Sequence, residues 1–304
     1  MGGSRASRIR RPTAPPRIRL TERDLDLFED LARVRFLTAS LIEWLHFPPR
    51  EGRWARGFSS ACRTRLRLLW QAGYLDRLWP DRFHGPAVYA LDRRGVEALA
   101  AYRGFPSDDL VGRGRRELSA LFLEHALDVA RVYAAVAAAL REVPEVRLAD
   151  FRGEHTFRGP TDHDRFPDPA DPRRTLPVVP DGLFVLERAD GKRRLVFLEV
   201  DRGTMAVRRV RGKVRGYGGY RVGEGPGRFR ARFGHPPVFV VSWVGRDRRG
   251  KERLQEVVRE EWARWSGSGG GVVHLFHALP DLTPETALGW EGAEGKEVSL
   301  LGRR

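Results

Sequence analysis

Two apolar segments separated by Asp190-Gly191 restrict the possible folds of this chain more than any other stretch. The first reads V-V-P-D-G-L-F-V-L-E-R from Val178 and the second R-L-V-F-L-E-V-D-R-G-T from Arg194. Both alternate and are rich in Val, Leu and Phe, and Pro180 and the Asp-Gly pair bound them, so they are expected to form a β-hairpin. Side chains alternate along a strand, which puts Asp181, Leu183 and Val185 on one face, and Leu195, Phe197, Glu199 and Asp201 on one face of the partner. A three-residue loop, Ala189 to Gly191 with Gly191 left-handed, sets Asp181 opposite Glu199. A two-residue loop would pair Asp181 with Val200 and part the carboxylates by face. The three-residue loop is the expectation adopted, and it gathers Asp181, Glu199 and Asp201 into an acidic cluster on an otherwise apolar face. Such a cluster is costly unless a cation or basic partners neutralise it.

Upstream, Thr21 and Asp24 suggest a helix N-terminus followed by Leu25, Phe28, Leu31 and Ala32 at helical spacing. Thr38 opens a second helix and Ser59 or Ser60 a third, and two short apolar runs, 74–79 and 87–91, follow around a Pro/Gly-bounded tip. That order predicts a winged helix over residues 20–103. On its third helix Cys62, Leu66 and Leu69 share one face, turning Arg63, Thr64, Arg67 and Gln71 outward as candidate DNA-contacting residues. Residues 1–19 form an arginine-rich arm expected to be disordered, and 104–116 a linker. A long helix is expected from Glu117 to about Val143, carrying Glu124, His125 and Asp128. A strand over 146–151, the hairpin, a helix with Lys213, Tyr217 and Tyr220, and a strand over 238–243 complete an α-β-β-β-α-β order within a second domain at 117–280. Residues 158–179 are too polar and Pro-rich to read as more than a loop insertion. The segment 281–304 reads as a tail, mobile from Glu291.

The formal net charge is +15, with 55 basic residues of which only four are Lys. An arginine-driven polycation favours a polyanionic partner, first of all nucleic acid. The single Cys62 excludes an internal disulfide and a cysteine-based zinc site, which fits a cytoplasmic setting. No apolar run reaches the length of a membrane span.

An acidic residue after Pro180, a hairpin, Glu199-x-Asp201 and a helix offering Lys213 resemble the PD-(D/E)XK nuclease-like fold, with Asp201 where that pattern has lysine. L-E-V-D-R-G-T followed by Lys213 and Tyr217, preceded by the winged-helix-like segment and Glu124-His125-Ala126-Leu127, resembles the bacterial replication-relaxation family over roughly residues 20 to 245. The resemblance implies an α+β (or α/β) two-domain chain, with a winged helix-turn-helix before a restriction-endonuclease-like core. It implies a DNA-binding protein of plasmid or mobile-element replication or relaxation, with double-stranded DNA as partner and a homodimer or replication and mobilisation proteins as further candidates. A metal-dependent endonuclease or nickase is one reading. An inert nuclease-like accessory or scaffold and a winged-helix transcriptional regulator are the alternatives. In the first, Asp181 and Glu199, with the carbonyl of Val200, would hold Mg²⁺ or Mn²⁺, and Lys213 would stand in for the absent lysine. Asp201 and Glu124 are further catalytic candidates.

Overall fold

The computed structural model describes residues 11–47, 59–79, 86–104, 120–265 and 272–302. The chain is a mixed α+β protein that divides into two compact units, 1–134 and 135–304. The linker expected at 104–116 lies, from 105 on, outside the described residues, and so do the tip at 80–85 and most of the N-terminal arm.

The first unit runs α1 (Glu22–Val34), β1 (Leu37–Thr38), α2 (Ala39–His46), α3 (Ser60–Gln71), β2 (Leu75–Leu78), β3 (Val88–Leu91) and α4 (Arg93–Arg103), with strand order β1-β3-β2. The two-residue β1, which pairs Leu37 with Tyr89, is too short to leave a periodic signal. Helix starts fall where short polar side chains can accept the first orphan amides. The Thr21 amide donates to Asp24 Oδ2 (2.7 Å), and Ser59 Oγ accepts from the Cys62 amide (3.1 Å). Phe28, Leu31, Ile42, Leu66, Leu69 and Val88 fill the core. Burial pushes the Cys62 thiol up to about 12, so it acts as a small apolar side chain rather than a nucleophile. The arm is tied down where its description begins: Arg11 Nη2 donates to the Leu75 carbonyl (2.7 Å) and pairs with Asp92 (2.5 Å). Its arginine meets carboxylates distant in sequence, which composition does not reveal.

The boundary between units falls inside α5 (Ala120–Ala139). The second unit holds a seven-stranded sheet of order β12-β11-β10-β9-β8-β7-β4. Its members are β4 (Val146–Gly153), β7 (Gly182–Arg188), β8 (Arg193–Asp201), β9 (Phe239–Gly245), β10 (Val273–Ala278), β11 (Gly289–Gly292) and β12 (Glu297–Ser299). Strands β8, β9 and β10 are mutually parallel and the other pairings antiparallel. Helices α6 (Val207–Gly219), α7 (Gly225–Phe233) and α8 (Arg248–Trp265) supply the crossovers that parallel strands need. One sheet face, with Leu183, Leu195, Phe197, Val241 and Trp243, shares a core with Val210, Val214 and Tyr217 of α6, Phe229 of α7 and Leu254 and Val258 of α8. The rings of Phe197 and Phe239 meet edge to face at 5.3 Å, a geometry that aromatic quadrupoles favour.

Three expectations are corrected. Residues 158–179 contain a β-hairpin, β5 (Arg165–Asp168) and β6 (Asp171–Pro177), packed on α6 rather than an unstructured insertion. Its polar composition is stabilised by ion pairs: Asp168 with Arg215, and Asp164 with Arg232 (2.6 Å) and the Tyr220 hydroxyl (2.8 Å). The tail from 281 supplies β11 and β12, with Trp290 and Leu300 buried, so it completes the sheet instead of moving freely. An extra helix, α7, also stands between α6 and β9.

Candidate functional site: a buried carboxylate–lysine cluster

The β7–β8 hairpin has the register expected of a three-residue loop. Gly182 faces Leu198 and Glu187 faces Arg193, the Arg188 amide donates to the Lys192 carbonyl (2.9 Å), and Gly191 has φ +79°. A left-handed residue there costs glycine nothing, which is why the loop closes at Ala189–Gly191. Continued one step, this register sets Asp181 beside Glu199. The Val200 amide donates to Asp181 Oδ2 (2.7 Å), fastening the carboxylate to the neighbouring strand.

Helix α6 covers the pair. Lys213 and Tyr217, four residues apart on one helix face, both reach Glu199. Lys213 Nζ lies 2.6 Å from Glu199 Oε2 and donates to the Val179 carbonyl (2.9 Å), while the Tyr217 hydroxyl donates to Oε1 (2.6 Å). Exposure is 9% at Asp181, 1% at Glu199 and 3% at Asp201, so the cluster is an interior feature. Burial pushes the Glu199 carboxyl up to about 7, against the pull of the Lys213 ammonium, and the nearby Asp181 charge adds to the rise. Burial would lower Lys213, but the Glu199 and Asp181 carboxylates outweigh it and hold the ammonium above its ordinary range. Tyr217 is raised well above its usual value by burial and by Glu199, so it remains a donor.

Asp201 stands apart from that pair. Its Oδ1 accepts the amides of Gly203 and Met205 (3.0 Å each), and its Oδ2 lies 3.4 Å from Arg253 Nη2. It therefore shapes the β8–α6 loop, a role that one-dimensional spacing does not display. Glu124 is exposed on α5 and falls in the first unit, whereas the cluster is assembled from 179–217 of the second. On α3, Cys62, Leu66 and Leu69 are buried, while Arg63, Thr64 and Arg67 are exposed and Gln71 is half-buried.

The fit of a divalent cation follows from the donor set. Both oxygens of Glu199 are engaged, by Lys213 and Tyr217, and one oxygen of Asp181 by the Val200 amide. Among the described residues no group of three or more His, Cys, Asp or Glu is disposed to hold a metal ion. As placed, the cluster does not fit Mg²⁺ or Mn²⁺; a cation would have to displace Lys213.

The second unit and its cluster define a class: α+β proteins in which a mixed sheet buries a carboxylate pair under a helix-borne lysine. The replication-relaxation family model matches residues 28–228, and the chain belongs to that family. No curated protein and no solved structure matches it significantly. Membership points to a role in replication or relaxation of mobile elements, with DNA or replication-related partners. No described helix is long and apolar enough to cross a membrane.

Proposed function

We propose that the chain is a duplex-DNA-binding accessory of mobile-element replication or relaxation. In this reading its first unit is a winged helix docking through α3, and its second unit is a nuclease-like domain whose acidic cluster is internally neutralised. The observation that carries it is the division of α3 into a buried apolar face and an exposed face bearing Arg63, Thr64 and Arg67, in a chain of net charge +15. Guanidinium and hydroxyl groups exposed on one helix face suit phosphate and base-edge contacts. The double variant Arg63→Ala, Arg67→Ala is expected to weaken duplex binding and to lower the slope of log affinity against log salt by about 1.8, since each lost phosphate contact removes about 0.9. An unchanged slope in fluorescence anisotropy titrations would exclude α3 as the docking element.

A second reading, a metal-dependent endonuclease or nickase in which a cation displaces Lys213 from Glu199, is favoured by the adjacency of Asp181 and Glu199. Incubation of supercoiled plasmid with Mg²⁺, Mn²⁺ or chelator separates the two. Nicking lost in both Asp181→Asn and Glu199→Gln would establish the enzyme, and DNA binding without nicking would leave the accessory reading standing.

A further inference from the structure

Strands β8 and β9 are parallel and Asp201 lies beside Gly245, so the loops leaving them emerge at the same end of the sheet. These two loops and the helix starts that follow carry Arg208, Arg209, Arg246, Arg248 and Arg249, all exposed. None of the five pairs with a carboxylate of the described residues. The one acid among them, Asp247, accepts the Gly250 amide (2.8 Å) and so caps the start of α8. Five exposed guanidinium groups at one edge repel one another, and the single carboxylate of Asp247 offsets only part of that charge, which leaves a surface that favours an anion. The first turns of α6 and α8 open at the same edge and add the positive ends of two helix dipoles.

The two loops meet at Asp201, whose carboxylate shapes the β8–α6 loop and whose backbone carbonyl holds the β9–α8 loop. Its side chain accepts the Gly203 and Met205 amides (3.0 Å each), and its carbonyl accepts the Arg246 amide (2.9 Å). Arg253 closes the arrangement by donating to the Met205 carbonyl (2.6 Å) beside Asp201 Oδ2. Gly245 lets the β9–α8 turn fold tightly against the strand end, because a Cβ there would stand 2.2 Å from the Lys251 amide nitrogen.

We infer that this arginine rim is a second DNA contact, binding phosphodiester backbone, and that Asp201 is the positioning residue that sets its shape. The inference rests on the reading of the chain as a DNA-binding protein and adds a surface distinct from α3. It also accounts for an acid at the place where the nuclease-like pattern has lysine: the carboxylate organises the β8–α6 loop, beside Arg253 of α8, instead of facing a reacting atom.

The test uses the full chain and a labelled 30-base-pair duplex in salt titrations. Arg246→Ala, Arg248→Ala and Arg249→Ala combined should weaken binding roughly 10-fold or more and lower the salt slope by up to about 2.7, at about 0.9 per phosphate contact. The loss should multiply with that of the α3 variant. Asp201→Ala supplies the sharper outcome. Simple electrostatics makes removal of a carboxylate near DNA strengthen binding, whereas loss of the side-chain clamp on the β8–α6 loop, which carries the chain to Arg208 and Arg209, weakens it and flattens the slope with every arginine still present. Asp201→Asn keeps an oxygen acceptor for the two amides and should bind close to wild type. A merely structural Asp201 would move the melting temperature without moving the slope. If wild type binds DNA and the triple variant keeps its slope and affinity, the rim inference is overturned while the α3 reading stands. If wild type does not bind duplex at all, both fail. Loss of binding to phosphatidylserine vesicles in the triple variant, with duplex binding unchanged, would assign the rim to a membrane surface and likewise overturn it.

Discussion

Lys213→Met is expected to destabilise the second unit by roughly 3–5 kcal/mol at pH 9, because it leaves Glu199 as a buried carboxylate without its cation. The pH dependence identifies the cause. The folded pKa of Glu199 is raised above its ordinary 4.5, to about 7, so protonated Glu199 favours the folded state. Its contribution is full below the unfolded value and is lost as pH rises through about 7. Removing the Lys213 ammonium pushes that carboxyl further up, so the variant's deficit should change little below pH 7 and grow as pH rises above it, where only the wild type can hold Glu199 ionised. Lys213 itself is raised, and its own contribution is present below its ordinary 10.5 and lost only in alkali. Glu199→Gln combined with Lys213→Met should recover much of the loss, since a neutral pair leaves no orphaned charge. Urea unfolding at pH 5 and pH 9 measures the Glu199 part of this. An equal deficit at both pH values, or a double variant no better than the single one, would show that Lys213 acts through packing alone.

Arg215→Met is expected to have an effect of similar size by a different route. Arg215 donates to both oxygens of Asp168 (Nε to Oδ1, 2.7 Å; Nη2 to Oδ2, 3.1 Å) and, through Nη1, to Glu261, and both acids are buried. Burial raises the Asp168 pKa, but the Arg215 hydrogen bonds outweigh it and hold the carboxyl below its ordinary 3.8. That stabilisation is present above the unfolded value and is lost as pH falls through the lower folded one. Without the guanidinium two interior carboxylates lose their shared partner, a cost of roughly 3–5 kcal/mol. Arg215→Lys should rescue only part of it, because an ammonium lacks the planar fork that spans two acceptors. Hydrogen exchange over 165–177 reports the event directly, since the β5–β6 hairpin should lose protection first. Unchanged protection there would mean that Phe166 and Leu176, and not the ion pairs, seat the hairpin.

The difference between those two ion-pair systems explains what the sequence could reveal. Asp181, Glu199 and Lys213 were legible because strand parity, a glycine-closed loop and four-residue helical spacing are local rules acting over short distances. Arg215 and Asp168 obey no local rule: 47 positions separate them, and the Pro-rich segment holding Asp168 has the composition of a loop. Strands β11 and β12 leave no periodic signal because they are only four and three residues long, with Trp290 the chief mark of burial. The Asp201 charge was visible at once, but its backbone partners belong to a loop whose path only the folded chain defines. On α3 the periodicity of Cys62, Leu66 and Leu69 sufficed to place Arg63, Thr64 and Arg67 outside.

The short loop between β7 and β8 also imposes an order on folding. A hairpin closed by three residues forms in about 1–10 μs on its own, whereas the α6 crossover and its parallel strand pairing must wait for longer loop closures. Asp181 and Glu199 therefore become neighbours while still hydrated, and they lose that water only when Lys213 and Tyr217 arrive on the helix. The electrostatic barrier of the site thus belongs to helix docking and not to hairpin formation, so acidity should alter the rate of the late step and leave the early one untouched.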